Sequence, residues 1–212
     1  YYLKYMFPNS CEYLEVATTR LETLASDTAV VVNPKDERYK HLIGKTVITP
    51  LRKEIVPIIA DEYIDITFGT GIMKCSAHAI DDVEILKKNN LEVRESIDID
   101  GRLNSNALEF AGLDRETARI KIAEKLQKEG LITKVEDHIH EVGHSERTDA
   151  VVEIMVMPQW FVKMKPLADN LLELQLDKNN KVNFVPKRFE KILTNWMTSI
   201  QDWCISRQVW WG

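Results

Sequence analysis

The C-terminal segment of the chain, residues 195–212, is unusually rich in tryptophan. It reads NWMTSIQDWCISRQVWWG and holds four of the five tryptophans in the 212-residue sequence. A large exposed apolar patch usually marks an interface, so these rings need a partner surface. We therefore expect the segment to pack against further protein. The Tyr-Tyr start without a methionine agrees with a piece taken from a larger chain.

Composition and charge exclude several classes of protein. Hydrophobic residues make up 44% of the chain, enough for a real core, and a net charge of -5 gives no global basic signature for nucleic acid. The cysteines Cys11, Cys75 and Cys204 form no CxxC unit, so reduced thiols are expected and neither a disulfide framework nor a zinc ribbon. No apolar run reaches the roughly 18 residues of a membrane span, and no secretory pattern is present. A cytoplasmic protein is expected.

Short β-branched runs dominate the first half, and helical periodicity follows. Strands are predicted at residues 13–18, 28–32, 46–51 and 55–60, with Pro57 suggesting an edge or a bulge. Helices are predicted at residues 35–42, 80–89 and 114–129. In the last of these, Ala118, Ile122 and Leu126 recur every four residues after a capping Asp114. The pattern predicts an α+β fold with a β-rich core and surrounding helices.

Two segments carry residues suited to ligand chemistry. Thr18-Thr19-Arg20 follows a predicted strand and offers hydroxyls and a guanidinium that can fork onto a carboxylate or phosphate. Residues 68–84 read FGTGIMKCSAHAIDDVE and supply glycines, a cation, a hydroxyl, an imidazole and acids that open a helix. Neither segment matches a dinucleotide or P-loop spacing. Each alone is also typical of an ordinary strand end or helix start.

Two further clusters suggest ligand binding, but each also has an ordinary structural explanation. His138, His140 and His144 match neither HExxH nor a zinc finger, so a surface turn is expected and no metal is assigned. The second cluster combines cations with aromatic rings, at Lys187, Arg188, Lys191, Arg207 and the tryptophans of residues 196–211. It could contact an RNA backbone, or it could be an amphipathic helix that packs on another domain.

Eight segments together resemble one known family. In chain order they are ATTRLET (17–23), SDTAVVVNPKDERY (26–39), IIADEYIDITFGTGIMK (58–74), DGRLN (100–104), GLDRETAR (112–119), VGHSERTDAVVE (142–153), QWFVKM (159–164) and residues 195–212. The whole chain resembles the inserted editing domain, connective polypeptide 1, of class I aminoacyl-tRNA synthetases. The sequences of residues 142–147 and of the C-terminal segment are similar to those of the valyl members. The resemblance to the isoleucyl and leucyl members is much weaker.

The resemblance implies a fold and a function. The fold is a β-rich editing domain with a barrel-like sheet core, inserted in a Rossmann-type catalytic domain. Residues 12–153 would form the editing core, and residues 1–11 and 154–212 would connect it to the catalytic domain. The function is hydrolysis of the ester of Thr-tRNA(Val), because an apolar pocket for valine cannot strongly reject an isostere that only adds a hydroxyl. The partners implied are the tRNA(Val) acceptor end and the rest of the synthetase. ATP and Mg would bind the catalytic domain, and no cofactor is expected in this chain.

The resemblance also assigns roles to residues. Thr18, Thr19 and Arg20 would line the editing pocket, whereas Lys74 and Ser76 would contact the tRNA 3′ end and the misattached side chain. Asp82 would hold the aminoacyl ammonium. His78 could orient the attacking water, but no residue is assigned as general base.

The chain departs from the family pattern at the pocket. Leu21 stands where the family usually has proline, and Ser76-Ala77-His78-Ala79 stands for Thr-Pro-Ala-His-Asp, with one residue deleted. The acid after the histidine has therefore become Ala79, and Asp81 is a possible substitute, although it projects about 100° further around the helix. Two hypotheses follow: an active editing hydrolase, and a degenerate module that binds the acceptor end with little or no hydrolysis.

Overall fold

Seven of the described strands form one mixed sheet. They are β1 (Tyr2–Met6), β2 (Tyr13–Ala17), β3 (Ala29–Val32), β4 (Thr46–Ile48), β5 (Ile55–Ala60), β6 (Ile72–Cys75) and β7 (Ile132–Lys134). Their order is β2-β1-β4-β5-β3-β6, with β7 paired to β1. β3 and β5 run parallel, and the other ladders are antiparallel. The computed structural model describes residues 1–208, so the role predicted for Trp210 and Trp211 lies outside the described residues.

β3 is the strand around which the interior is built. All four of its residues are buried, as expected for an uninterrupted β-branched run covered on both faces. Val30 and Val32 enter the larger apolar cluster of the sheet. Ala29 and Val31 enter a second cluster, which helix α1 (Ile80–Lys88) completes. β3 is therefore packed on both faces.

Helix α2 (Arg115–Lys128) confirms the prediction made from its four-residue repeat. Ala118, Ile122 and Leu126 are its buried residues and join the larger cluster. Asp114 caps the helix by accepting the Thr117 N–H at 2.9 Å. A 3-10 segment at Leu21–Ser26 is buried along its whole length. These elements form the sheet-rich α+β core that the sequence predicts.

Two local predictions are corrected by the structure. Residues 35–42 hold turns and a single 3-10 turn at Lys40–Leu42 instead of a helix. The Asn33 and Asp36 side chains accept the N–H groups of the residues two positions ahead, and such bonds compete with a helix. Pro57 lies in β5 between two partners, not at an edge. The ladder with β3 begins only at Ile58, so the missing N–H costs no ladder bond there.

The N-terminal residues of the chain belong to the sheet. Residues 2–6 were expected to connect, but they form β1 within the sheet because Leu3 and Tyr5 supply fully buried side chains. The described chain separates into two units, the first formed by residues 1–156 and the second beginning at Met157. Among the described strands, no ladder joins the outer strands β2 and β6. The barrel-like closure and the functional division into core and connectors stay predictions.

The second unit contains two helices and a small strand pair. Its elements are β8 (Phe161–Val162), α3 (Met164–Leu176), α4 (Arg188–Thr198) and β9 (Trp203–Cys204), with β8 antiparallel to β9. Phe184–Pro186 lies between the two helices. Within residues 1–208, no helix has both the length and the apolar character needed to cross a membrane.

Candidate functional site

The ends of β2 and β6 border one cavity of about 770 Å³. Thr18, Thr19 and Arg20 line it from the loop after β2. Lys74 lines it from β6, Ser76 from the segment that leads into α1, and Asp82 from the first turn of α1. The structure thus brings together the two segments, which lie far apart in the sequence. Their joint placement makes this cavity the candidate functional site.

Lys74 is held in a buried polar cluster at the cavity wall. Its Nζ donates to Asp27 Oδ1 at 3.0 Å and to Thr23 Oγ1 at 2.8 Å. The Tyr5 hydroxyl donates to the other Asp27 oxygen at 2.5 Å. Burial raises the pKa of Asp27 to about 6, although Lys74 and Tyr5 both oppose the rise. An ammonium has three N–H donors, so one remains for a ligand.

Asp82 is positioned by the main chain of Ser76. Its Oδ2 accepts the Ser76 N–H at 2.9 Å and the Ser76 hydroxyl at 3.3 Å. Among residues 1–208, no donor reaches the other oxygen, Oδ1. Burial raises the pKa of Asp82, against the opposing charge of Lys74. A buried carboxylate with one unpaired oxygen beside a cavity is suited to hold a cation such as an ammonium.

Arg20 is the centre of a chain of alternating charges. Its Nε donates to Glu22 at 3.1 Å, its Nη1 donates to the His78 carbonyl at 3.2 Å, and its Nη2 donates to Glu153. Its main-chain N–H is held by the Thr18 hydroxyl at 3.1 Å. A guanidinium has five N–H donors, so two remain for a ligand. Thr19 lines the cavity next to it.

His78 is a structural residue in this geometry. Its Nε2 lies 3.0 Å from the Ser96 main-chain nitrogen, which can only donate, so Nε2 is the acceptor. Nδ1 must then carry the proton, which it donates to the Ile154 carbonyl at 3.2 Å. Burial lowers the pKa of His78, which keeps the ring neutral at pH 7. With both nitrogens engaged, the ring cannot also orient water, contrary to the prediction from the sequence.

The structure distinguishes Ala79 from Asp81. Ala79 lines the cavity and is the N-cap of α1, where it makes no side-chain capping bond. Asp81 is exposed, and its Oδ2 accepts the Tyr63 hydroxyl at 2.7 Å. It is not among the residues that line the cavity. The suggestion that Asp81 replaces the missing acid is therefore corrected, because the turn of the helix points it elsewhere.

The histidine-rich segment lies nearer to the site than the sequence suggested. His138 and His140 stack with their ring centroids 5.6 Å apart. The ring of His138 also packs edge-to-face with Phe68, with 6.2 Å between the two ring centroids. All three residues line the cavity, so the expected surface turn is also a cavity rim. His144 does not line the cavity, and its Nδ1 is hydrogen-bonded to the Asp149 carbonyl instead. Sequence spacing alone gave no sign of this arrangement.

The basic and aromatic cluster lies in the second unit. Helix α4 buries Met197 and leaves Phe189, Ile192 and Trp196 at least 42% exposed. The Arg207 guanidinium donates to the carbonyls of Cys204 and Ser206. This is an amphipathic helix with an uncovered apolar side, and both predicted partners, RNA and further protein, stay open.

Several residues that build the site were not predicted. Asp27 and Glu22 are acids within residues 21–32, a stretch that is buried throughout, and charged residues are almost never fully buried unless paired. That rule would have signalled buried partners, though not which ones. Glu153 carries no such local signal, because its partners lie at sequence separations of 133 and 38.

Residues 13–212 match the family model of class I tRNA synthetases (I, L, M and V). The chain therefore belongs to the class I tRNA synthetases. Its similar relatives include the valine–tRNA ligase of Bacillus subtilis (strain 168), at 52% identity over 100% of this chain and 24% of that protein. The valine–tRNA ligase of Mesomycoplasma hyopneumoniae (strain 232) is 53% identical over 100% of this chain and 26% of that protein. The chain thus spans about a quarter of the length of these relatives.

A solved structure with a similar fold is a LeuRS–tRNA–LeuAMS ternary complex from Agrobacterium radiobacter K84. It has a TM-score of 0.50 at 22% identity, over 60% of this chain and 18% of that one. Identity at this level establishes a shared fold and nothing more.

Proposed function

We propose that this chain is the editing domain of a valine–tRNA ligase and hydrolyses the ester of Thr-tRNA(Val). The observation that carries the proposal is the cavity lined by Thr18–Arg20 and by Lys74, Ser76 and Asp82. It offers an anion-seeking guanidinium, an ammonium, hydroxyls and a carboxylate to one ligand. An aminoacyl ester at a tRNA 3′ end has the matching groups: a backbone phosphate, an ammonium and, for threonine, a hydroxyl.

The chemistry proposed needs few protein groups. Asp82 Oδ1 receives the aminoacyl ammonium, and Arg20 and Lys74 hold the negative charge of the terminal nucleotide. The hydroxyls of Thr18, Thr19 and Ser76 are the partners for the threonine hydroxyl, which valine lacks. Water then attacks the ester carbonyl, the ribose oxygen leaves, and threonine and tRNA separate. With His78 engaged on both sides, positioning of the water and the neighbouring ribose hydroxyl supply the catalysis.

The full-length ligase implied by the proposal would supply the other parts of the reaction. ATP and Mg would bind its catalytic domain, outside this chain. The tRNA(Val) acceptor end and the remaining synthetase chain would be the partners. The cytoplasm is the compartment in which we expect the ligase to act.

One observation favours a second function, a module that binds the acceptor end with little hydrolysis. Ala79 occupies the cavity position where the resemblance implies an acid, and Asp81 does not take its place. A carboxylate there would contact the substrate's hydroxyl or amino group. Without it, the cavity retains groups for binding but lacks one for discrimination.

Replacing Ala79 with aspartate tests which function holds. Residue 79 has the extended backbone of an N-cap, with φ of -142° and ψ of 143°, so the new carboxylate is expected to cap α1 and stabilise the fold by about 1 kcal/mol. If the missing acid limits hydrolysis, deacylation of Thr-tRNA(Val) by the full-length ligase rises about tenfold as well, the usual worth of one charge-assisted bond. Urea unfolding and a deacylation assay measure the two effects separately.

The two candidate functions give different outcomes. A wild-type rate above spontaneous hydrolysis supports editing, and a further rise with Ala79→Asp shows that editing is impaired in this chain. A wild-type rate equal to spontaneous hydrolysis, restored by Ala79→Asp, supports the binding module. Greater stability with no gain in rate would show that residue 79 only caps α1.

A further inference from the structure

The segment at residues 153–154 contacts the candidate site at two points. The Glu153 carboxylate accepts the Arg20 Nη2, and the next residue, Ile154, accepts the His78 Nδ1 proton through its carbonyl. Arg20 in turn donates to the His78 carbonyl. These bonds close a ring of contacts among three sequence-distant segments. Residues 153–154 therefore hold two side chains of the cavity wall, Arg20 and His78, without lining the cavity themselves.

Glu153 belongs to a continuous arginine–glutamate chain, formed by Arg119, Glu22, Arg20, Glu153 and Arg115. Arg119 binds Glu22 through two bonds of 2.9 Å, and Arg115 binds Glu153 at 2.6 Å. The two glutamate side chains are 1% and 11% exposed, respectively. Each carboxylate thus bridges two arginines, and buried charges of this kind are retained only when they are paired.

The arginine–glutamate chain fixes the plane of the Arg20 guanidinium. Glu22 holds its Nε, and Glu153 holds its Nη2 on the other side. A planar guanidinium held at two of its nitrogens cannot rotate, so its remaining N–H groups have set directions. Glu153 itself is not among the residues that line the cavity.

We propose that Glu153 is a positioning residue of the editing site, which aims the free N–H groups of Arg20 at the negatively charged part of the substrate. The proposal rests on the proposed function for its kinetic test. Glu153 touches no substrate and acts only through Arg20. Segment 153–154 then belongs to the working site, although the division implied by the resemblance ends the core at residue 153 and places residue 154 in a connecting segment.

The kinetic test compares Glu153→Gln with Glu54→Gln in the full-length ligase. Glu54 is a matched control because its carboxylate also bridges two arginines, Arg52 and Arg94, away from the cavity. In Glu153→Gln, we expect KM for Thr-tRNA(Val) deacylation to rise about 10-fold to 100-fold, as expected for a misplaced positioning group. The kcat should change little, because Arg20 binds ground state and transition state alike. Glu54→Gln should leave both constants near wild type.

A double-mutant cycle makes the test specific to Arg20. If Glu153 acts through Arg20, Glu153→Gln should add almost nothing to KM in an Arg20→Ala background. An equal loss in both backgrounds overturns the proposal, as does a fall in kcat alone, which would indicate a smaller folded fraction.

A measurement without substrate separates this proposal from the proposed function. In NMR spectra of the chain, the Arg20 Nη2 protons, which Glu153 holds, should exchange slowly with water in wild type and Glu54→Gln, and faster in Glu153→Gln. If the wild-type ligase hydrolyses no Thr-tRNA(Val), the proposed function fails, yet this exchange pattern still supports positioning. Unchanged exchange in Glu153→Gln overturns the positioning role whatever the kinetics show.

Discussion

Replacing Asp82 with alanine is expected to slow deacylation of Thr-tRNA(Val) about 100-fold, because a hydrogen bond to a charged group is worth up to about 3 kcal/mol. The substitution removes the carboxylate whose free oxygen is proposed to receive the aminoacyl ammonium. It also releases the Ser76 N–H, which Asp82 Oδ2 accepts at 2.9 Å. Single-turnover deacylation by the full-length ligase, with preformed Thr-tRNA(Val), measures the effect.

Asp81→Ala is the matched control for this experiment. It removes the same charge from the preceding residue of the same helix, but its exposed carboxylate does not line the cavity and only accepts a hydrogen bond from Tyr63, which does. We expect its rate to stay within about twofold of wild type, as is usual for an exposed polar contact. Equal losses in the two variants would mean that general charge near α1 matters, and the assignment of Asp82 would fail.

Replacing Lys74 with methionine is expected to destabilise the fold by an amount that depends on pH. Removing one partner of a buried ion pair costs about 3–5 kcal/mol, because the other charge is left uncompensated. Here the remaining charge is Asp27, whose pKa is already raised to about 6 by burial. Lys74 opposes that rise, so its removal raises the pKa further. Asp27 can then avoid the cost by keeping its proton at low pH.

The sign of the pH dependence follows from that raised pKa. The unfolded chain releases the Asp27 proton near the ordinary aspartate pKa of about 3.9. In the folded variant, the pKa of Asp27 lies above its value in the folded wild type, so the proton is retained to a higher pH. The stability that this proton provides is lost as the pH rises through the folded pKa. Lys74→Met should therefore be close to wild type at pH 5 and about 3 kcal/mol less stable at pH 8, where the charged, unpaired carboxylate is disfavoured.

Urea unfolding at the two pH values measures this difference, with Lys88→Met as the control. Lys88 also binds an aspartate, Asp61, at 2.9 Å, but its side chain is 72% exposed. Exposed ion pairs contribute about 0–1 kcal/mol, so the control should show little loss at either pH. A loss for Lys74→Met that is the same at pH 5 and pH 8 would contradict the role given to Asp27.

Local patterns in the sequence predicted much of the fold. The capped four-residue repeat predicts α2, because burial of one helix face leaves a periodic pattern. The uninterrupted apolar run predicts β3, because burial of both faces of a strand leaves a continuous one. The resemblance supplied the two halves of the candidate site. The predicted helix at residues 35–42 was wrong, because two side-chain bonds to nearby N–H groups outweighed its weak helical pattern.

What could not be predicted depends on contacts between distant residues. The partners of Arg20 and Lys74 lie on other elements, and their pairing is decided only when the sheet has formed. The engagement of His78 requires Ser96 and Ile154, at separations of 18 and 76 residues. Periodicity and spacing carry no information about such pairs, which is why the sequence did not show that both ring nitrogens of His78 are engaged.

The most direct test of the central claim is the ratio of two deacylation rates. The full-length ligase is given Thr-tRNA(Val) and Val-tRNA(Val) under the same conditions, with each spontaneous rate subtracted. A cavity that binds its ligand through a hydroxyl should hydrolyse the threonyl ester at least about 100-fold faster, since a polar site rejects an analogue that leaves its groups unpaired. Equal rates for the two esters, or none above background, would contradict the proposal that this chain is a threonine-selective editing domain.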